Sequence, residues 1–273
     1  MLSAHGSAPQ VVETSREVAG ISINAVCPLV TKVHHEVKTR AGKGFEIIYI
    51  GHHGHDEALG TMAVAPGKVH LVESIEELEA TSIDAGEIAL IAQTTLAVDE
   101  WRAIADRAAE LHPEIWMPNK SDLCFATTNR QAAVRKVAPT ADAVVVIGSA
   151  NSSNTMALAD VARAVGCPRV LRVNGPEDLP DDLVGRVAVT AGASAPESLV
   201  RAVVAHLDPR DGVETRVVGV EDEYFPPPPE LRDILRSLSA LVDLCLATPT
   251  PSTFDGAADR SVTAAQILDR APS

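Results

Sequence analysis

The feature that most limits the fold is the alternation of short apolar runs with stretches of helical periodicity. The apolar runs are four or five residues long and rich in β-branched side chains, which is typical of buried strands. Strands that alternate with helices favour parallel sheets, because a parallel pair needs a crossover connection. The chain is therefore predicted to be an α/β protein, with strands at Glu46–Ile50, Val69–Val72, Ile88–Ala92, Ala143–Ile147, Arg169–Val173 and Arg186–Val189.

Three intervening stretches place apolar residues three and four positions apart, with charged residues on the other face. This spacing predicts helices at Val98–Leu111, Ser152–Val165 and Glu197–Leu207. Grouped with their strands, the elements predict two α/β lobes, over residues 28–121 and 122–205.

The two ends of the chain do not fit either lobe. Ser7–Val26 has the pattern of one helix and one strand without neighbours to pair with, so residues 1–27 are interpreted as the remnant of an N-terminal lobe. Residues 206–245 are expected to hold a strand and, after the proline run 226–229, a helix at Glu230–Leu244. Residues 246–273, rich in Pro, Thr, Ser, Ala and Asp, are expected to form a flexible tail.

Composition excludes several classes of protein. The formal net charge of −14 argues against a protein that grips a nucleic-acid backbone. No apolar run is long enough to cross a bilayer and the first residues lack the pattern of a secretory signal, so we expect no membrane partner and a cytoplasmic location. The four cysteines are widely separated and form no CxxC pair, which predicts free thiols in a reducing compartment.

Polar, glycine-rich segments fall where predicted strands end and helices begin. Because ligands bind at the carboxyl ends of strands in open parallel sheets, these loops are expected to converge on one site. Asn151–Asn154 is the clearest candidate for a phosphate cradle, since exposed N–H groups at a helix N-terminus attract anions. Helix capping by the same Ser, Thr and Asn residues is the alternative interpretation.

The segment Gly51–Glu57 contains three histidines and two acids and has two interpretations. His and carboxylate side chains bind zinc, but the spacing matches no standard zinc signature. The alternative is that His55 donates to an anion while Glu57 delivers a proton, which requires a carboxyl group with a raised pKa.

Taken in order, the polar segments resemble the motifs of the hydroxymethylbutenyl diphosphate reductase (LytB-type) family over about residues 1–235. The matching strings are Ser3-Ala4-His5-Gly6, Cys27-Pro28-Leu29-Val30-Thr31-Lys32-Val33-His34, Gly54-His55-Asp56-Glu57 through Gly60-Thr61-Met62, Gln93-Thr94-Thr95-Leu96, Cys124-Phe125-Ala126-Thr127-Thr128-Asn129-Arg130-Gln131, Asn151-Ser152-Ser153-Asn154 and Thr190-Ala191-Gly192-Ala193-Ser194-Ala195-Pro196.

The resemblance implies a trefoil of three α/β lobes around a [4Fe–4S] cluster held by one thiolate from each lobe. Cys27 and Cys124 match two of these ligands, and the third, with most of the N-terminal lobe, is expected to be absent from this chain. Cys167 reads as a core residue, and Cys245 lies outside the matched region.

The implied reaction converts 4-hydroxy-3-methylbut-2-enyl diphosphate to isopentenyl and dimethylallyl diphosphates, with ferredoxin or flavodoxin as electron donor. Glu57 matches the proton-delivering acid and Thr94 the residue that orients the hydroxyl group with it. The substrate-binding set is matched by His5, His55, Thr127, Ser152, Ser153, Asn154 and Ser194. The alternative is an inactive remnant that binds isoprenoid diphosphates without turning them over.

Overall fold

The computed structural model describes residues 1–83, 86–119, 121–219, 225 and 227–246. In these ranges the helices are α1 Pro9–Val18, α2 Pro28–Gly42, α3 Asp56–Met62, α4 Ile75–Ala80, α5 Val98–Leu111, α6 Phe125–Val137, α7 Ser153–Ala164, α8 Glu197–Leu207 and α9 Pro229–Leu246. The strands are β1 Glu46–Ile50, β2 Val69–Val72, β3 Ile88–Ala92, β4 Ala143–Ile147, β5 Val170–Val173 and β6 Val187–Ala191. Short 3₁₀ turns occupy Ala138–Thr140 and Pro176–Asp178.

The strands form two parallel three-stranded sheets with the same topology, ordered β2-β1-β3 and β5-β4-β6. In each sheet the first strand lies in the centre, so the chain goes first to one side of it and then to the other. This reversal leaves a crevice at the carboxyl end of the central strand, where ligands bind in open α/β sheets. The loops after β1 and β4 therefore occupy the two positions best suited to bind a ligand.

Each sheet is covered on both faces by helices, which explains why the central strands are continuous apolar runs. On β1, Ile47 and Tyr49 pack with Val33 and Val37 of α2, while Ile48 and Ile50 face the side of α4 and α5. Each fully buried side chain of this size contributes about 2 kcal/mol through removal of apolar surface from water. The rigid sheets hold the loops at their carboxyl ends in place.

The strands predicted at Glu46–Ile50, Val69–Val72, Ile88–Ala92 and Ala143–Ile147 have the bounds seen in the structure. The other two differ by one or two residues at their ends, which is the usual uncertainty of element boundaries. The α/β class with parallel sheets is confirmed. The domain boundaries at 28–121 and 122–205 stay a prediction.

The prediction of a strand within Ser7–Val26 was wrong for this part of the described chain. The segment forms α1 and then a single bridge between Leu2 and Asn24, with hydrogen bonds from Leu2 N to Ile23 O (2.9 Å) and from Cys27 N to Ala4 O (3.0 Å). Two backbone contacts do not make a ladder. They do bring the turn at residues 3–6 against Cys27.

Residues 208–219 contain no strand, and the intervening residues 220–224 and 226 lie outside the described ranges. The predicted C-terminal helix is present as α9, and the predicted flexible tail lies outside the described residues beyond Leu246. Among the described helices, none is both long and apolar enough to cross a membrane.

Candidate functional site

Loops from both sheets meet at their carboxyl ends. The contributing segments are the turn at residues 3–6, residues 51–55 after β1, residues 93–95 after β3, and residues 148–154 after β4. The loops after β1 and β4 line a cleft of about 440 Å³, with His52, His53, His55, Asn151 and Ser153 among its lining residues. The predicted convergence of polar loops is thus present in the fold.

Glu57 is the most deeply buried acid of the site, in the first turn of α3 with no exposed surface. Its Oε1 accepts a hydrogen bond from the backbone N–H of Thr94 at 2.7 Å, and its Oε2 accepts one from Thr94 Oγ1 at 3.0 Å. Burial raises the pKa of Glu57 to about 7, the two bonds from Thr94 oppose that rise, and the charge of Asp122 adds to it. Glu57 can therefore hold and release a proton near neutral pH.

Cys27 and Cys124 lie at equivalent places, each at the residue that precedes the first turn of a helix, α2 and α6. Burial raises the pKa of the Cys27 thiol, backbone N–H groups of the α2 terminus oppose this, and the charges of Cys124 and Glu57 raise it further. The charge coupling places the Cys27 thiol near both Cys124 and the buried acid. Cys124 N also donates to Thr94 O at 2.8 Å, which ties this loop to the partner of Glu57.

These two thiols fit the ligand set of an iron–sulfur cluster in donor type and placement. Both are half-buried and lie at helix N-termini, and the backbone N–H groups of α2 oppose the rise in the pKa of Cys27. Cys167 does not join them, since its thiol donates to Arg169 O at 3.3 Å inside the core of the second sheet. The side chain of Cys245 is outside the described residues.

An ion pair connects the two cysteine-bearing segments. Lys32, on the second turn of α2, places Nζ 3.0 Å from Oδ1 of Asp122, two residues before Cys124. Asp122 is buried, and its second oxygen accepts from Ala92 N at the end of β3. The pair thereby fixes the spacing between the segments that carry Cys27 and Cys124.

The segment before and within the first turn of α7 is where the sequence predicts a phosphate cradle. Ser152 caps the helix by accepting from Thr155 N at 3.3 Å. Asn154 is 4% exposed, yet neither amide atom has a hydrogen-bond partner among the described residues. A buried amide without a partner costs free energy, so an anionic ligand that accepts from its Nδ2 donors would relieve part of that cost.

Thr155 makes this cradle narrow. Its side chain lies against two glycines, Gly148 after β4 and Gly192 after β6, so that a methyl group on either would overlap with Thr155 Oγ1. Gly148 also has a φ of 145°, which other residues rarely adopt. The close approach brings the loops of two neighbouring strands onto the same helix end.

The rings of His5 and His55 lie together, with centroids 5.3 Å apart. His55 Nδ1 accepts from Glu57 N at 3.2 Å, which leaves Nε2 as its donor. Burial lowers the pKa of His55, and the positive charges of His5 and His52 lower it further. His55 is therefore a neutral donor, whereas His5 is more exposed.

The remaining predicted site residues are placed less directly. Thr127 is buried in the first turn of α6, and its backbone N–H donates to Cys124 O at 2.9 Å. Ser194 is exposed on the turn after β6, beside the glycine that contacts Thr155. Their roles stay predictions, as do those of the other site residues.

The zinc interpretation of residues 51–57 has no support in the described chain. His52 contacts Glu100 and Ser153, His53 contacts Glu77, and His55 accepts from a backbone N–H. No three His, Cys, Asp or Glu side chains of the described ranges are grouped to hold a metal ion.

Sequence reasoning missed three residues of the site: His52, Gln93 and Glu100. His52 and Gln93 both contact Ser153, and Glu100 contacts His52. Gln93 lies in the motif-like segment Gln93-Thr94-Thr95-Leu96, so the sequence contained a signal that could have identified it as a site residue. Nothing local distinguishes Glu100 from the other surface acids of α5.

Comparison with known proteins places this geometry in context. The sequence profile of the family described as LytB protein matches residues 1–208. The chain is 43% identical over 238 residues to 4-hydroxy-3-methylbut-2-enyl diphosphate reductase of Rhodopirellula baltica, covering 85% of this chain and 74% of that protein. It is 43% identical over 243 residues to the reductase of Acidothermus cellulolyticus, covering 87% and 72%.

A solved structure is similar as well. The E-1-hydroxy-2-methyl-but-2-enyl-4-diphosphate reductase of Plasmodium falciparum superimposes with a TM-score of 0.76 at 29% identity, covering 86% of this chain and 76% of that one.

Proposed function

The chain belongs to the LytB protein family, and we propose on that premise that it reduces 4-hydroxy-3-methylbut-2-enyl diphosphate to isopentenyl and dimethylallyl diphosphates. This is the last step of the methylerythritol phosphate route to isoprenoids. The observation that carries the proposal is the buried Glu57, held at both oxygens by Thr94 and coupled by charge to the thiol of Cys27.

The reaction replaces a C–O bond by a C–H bond: the substrate takes up two electrons and two protons and releases one water. Cys27 and Cys124 would hold two irons of a [4Fe–4S] cluster. A third thiolate, which would hold another iron, would have to come from outside the described residues. The chemistry that such a cluster supplies when bound is electron transfer together with Lewis acidity toward the allylic hydroxyl group.

The chain itself supplies one of the two protons, the one that goes to the departing oxygen. With a pKa of about 7, Glu57 is protonated in a large fraction of molecules at neutral pH and can protonate the departing oxygen. When Oε2 carries the proton, it donates to Thr94 Oγ1, and the hydroxyl hydrogen of Thr94 is then directed toward the substrate. Thr94 thus orients the acid and extends its reach.

The diphosphate end of the substrate is assigned to the other half of the cleft. The helix terminus of α7 attracts the anion, the buried amide of Asn154 has unused donors, and His55 offers Nε2. His5, Ser152, Ser153, Thr127 and Ser194 complete the proposed substrate-binding set. These local donors would hold an anion despite the net charge of −14.

The proposed assembly is a trefoil in which the two sheets represent two lobes and residues 1–27 part of a third. Ferredoxin or flavodoxin is the proposed electron donor, and the proposed location is the cytoplasm. A protein that binds isoprenoid diphosphates without turnover is the second candidate, favoured by the fact that only two cysteines converge in the described part of the chain.

The test is anaerobic turnover of 4-hydroxy-3-methylbut-2-enyl diphosphate with a dithionite-reduced viologen, with both product diphosphates quantified. Formation of both products with loss of activity in Glu57→Gln supports the reductase. Substrate binding with no product from an iron-loaded sample would support the second candidate instead.

A further inference from the structure

His52 joins the two lobes through its ring. Its Nε2 lies 3.1 Å from Oε1 of Glu100 on α5, and its Nδ1 lies 3.1 Å from Oγ of Ser153 on α7. Its backbone N–H donates to Gln93 Oε1 at 3.0 Å, which fixes the start of the loop. The imidazole therefore lies between a carboxylate of one lobe and a cradle hydroxyl group of the other.

Ser153 Oγ has further neighbours that limit what its hydroxyl hydrogen can do. Gln93 Nε2 donates to it at 3.3 Å, and the Ser153 hydroxyl group can itself donate to the carbonyl oxygen of Thr95 at a long 3.4 Å. Ser153 is 9% exposed, so water does not freely replace these contacts. A serine oxygen accepts two hydrogen bonds and donates one.

The carboxylate of Glu100 determines the tautomer of His52. Facing Nε2 at 3.1 Å, it requires a hydrogen on that nitrogen, because a lone pair there would be repelled. A neutral ring is then an acceptor at Nδ1, and at 3.1 Å it is a nearer acceptor for the hydrogen of Ser153 than the Thr95 carbonyl oxygen at 3.4 Å. A protonated ring instead donates from Nδ1, and with Gln93 it fills both acceptor sites of Ser153.

We propose that His52 is a positioning residue whose protonation frees the hydroxyl hydrogen of Ser153 to donate to a phosphate oxygen bound in the cleft. The proposal rests on the proposed function, since it takes the diphosphate as the ligand of the cradle. It adds a residue, and a partner in Glu100, that act on the substrate through Ser153.

The charges around His52 favour the protonated ring. Its hydrogen bond with Glu100 raises the pKa above the ordinary 6.5, burial opposes this, and the charges of Glu100 and of Glu73 after β2 raise it further. His55 is the other base on the same loop that faces His52. It is neutral, because burial lowers its pKa. The protonated form of His52 therefore persists above pH 6.5 and is lost as the pH rises through the raised pKa.

The measurement is the dissociation constant of inorganic pyrophosphate between pH 6 and 9 for the wild type and His52→Gln. Dividing one constant by the other at each pH cancels the ionisation of pyrophosphate itself. We expect His52→Gln to bind about tenfold more weakly at the acidic end, as for loss of one charge-assisted hydrogen bond. The ratio of the His52→Gln dissociation constant to the wild-type constant should approach one at higher pH, where the wild-type ring has lost its proton.

Two further variants sharpen the test. Glu100→Gln keeps an acceptor for Nε2 but removes its charge, so the midpoint of the ratio should move to lower pH, together with the His52 ring titration followed by NMR. His206→Gln is the control, because that ring is exposed in the last turn of α8 and does not line the cleft, so the pyrophosphate constant should stay unchanged.

The outcomes separate the two proposals. A ratio that stays constant with pH while the ring titrates would overturn the role of His52 and reduce it to a link between lobes. Absence of pyrophosphate and substrate binding in every variant at every pH would instead overturn the proposed function, and this inference with it.

Discussion

Thr94 binds both carboxylate oxygens of Glu57, through its backbone N–H at 2.7 Å and its Oγ1 at 3.0 Å. One residue thus fixes both the position and the rotation of the only acid in the described chain that is fully buried beside the paired thiols. An acid fixed in this way delivers its proton in one direction.

Glu57→Gln should retain substrate binding and lower kcat by about 10²- to 10⁴-fold, because the amide keeps the shape but has no proton to give. Steady-state turnover and substrate titration check both parts. Glu110→Gln, which alters an exposed acid of α5 paired with Arg107, is the control and should leave kcat unchanged. A kcat for Glu57→Gln within tenfold of the wild type would remove Glu57 from this role.

The same substitution should change stability in a pH-dependent manner. The pKa of Glu57 is raised from 4.5 to about 7 in the fold, so ionising it costs roughly 3 kcal/mol that the unfolded chain does not pay. The folded state binds the Glu57 proton more tightly than the unfolded chain does. The stability that this preference contributes is fully present below pH 4.5 and is lost as the pH rises to about 7. We expect Glu57→Gln to exceed the wild type in unfolding free energy at pH 8 but not at pH 5.

Urea unfolding at the two pH values measures this difference. Equal stabilities at pH 8 would mean that Glu57 is ionised without penalty, which would contradict its dry surroundings.

Thr94→Val should shift the pH profile of turnover rather than abolish it. The hydroxyl bond from Thr94 holds the pKa of Glu57 down, so its removal should raise that pKa and move the basic limb of kcat to higher pH. The rate at the optimum should fall, since the acid loses part of its orientation. Thr94→Ser, which keeps the hydroxyl group, should restore the original profile, and identical profiles in all three proteins would exclude this role.

Cys27→Ser and Cys124→Ser should each reduce the iron and acid-labile sulfide retained after anaerobic reconstitution. Cys167→Ala is the matched control, because that thiol lies in the core of the second sheet and donates to Arg169 O. Metal analysis with visible absorption is the measurement. Full iron retention in either serine variant would show that its cysteine is not a ligand.

Lys32→Met should destabilise the fold by about 1–3 kcal/mol, because it leaves the charge of Asp122 buried without its partner. Since the side chain of Lys32 is 38% exposed, water moderates the loss. The double variant Lys32→Met with Asp122→Asn should recover part of it, which chemical denaturation would measure. No recovery would indicate that the ion pair contributes more through geometry than through charge compensation.

The sequence predicted the sheets well because their signal is local. Runs such as Ala143–Ile147 are short, apolar throughout and rich in β-branched residues, which is typical of a strand covered on both faces. The segment Ser7–Val26 failed because a strand also needs a neighbour, and its pairing is limited to the bridge between Leu2 and Asn24.

The contacts of His52 could not be predicted by the same reasoning. Its partners Glu100 and Ser153 are 48 and 101 positions away in the sequence. No sequence pattern at either position indicates a contact with His52. Only the packing of the two lobes brings them together. The motif positions of the cradle, by contrast, were visible because helix ends rich in Ser and Asn carry their chemistry locally.

The contact of Thr155 with Gly192 makes these two distant positions dependent on one another during sequence divergence. Shortening Thr155 to alanine would make room for alanine at 192, whereas the same change at 192 alone would push α7 away from β6. Position 148 would not be released, because its φ of 145° still requires glycine. The order in which substitutions accumulate at 155 and 192 therefore decides which of them are tolerated, so the neutral path between related sequences passes through position 155 first.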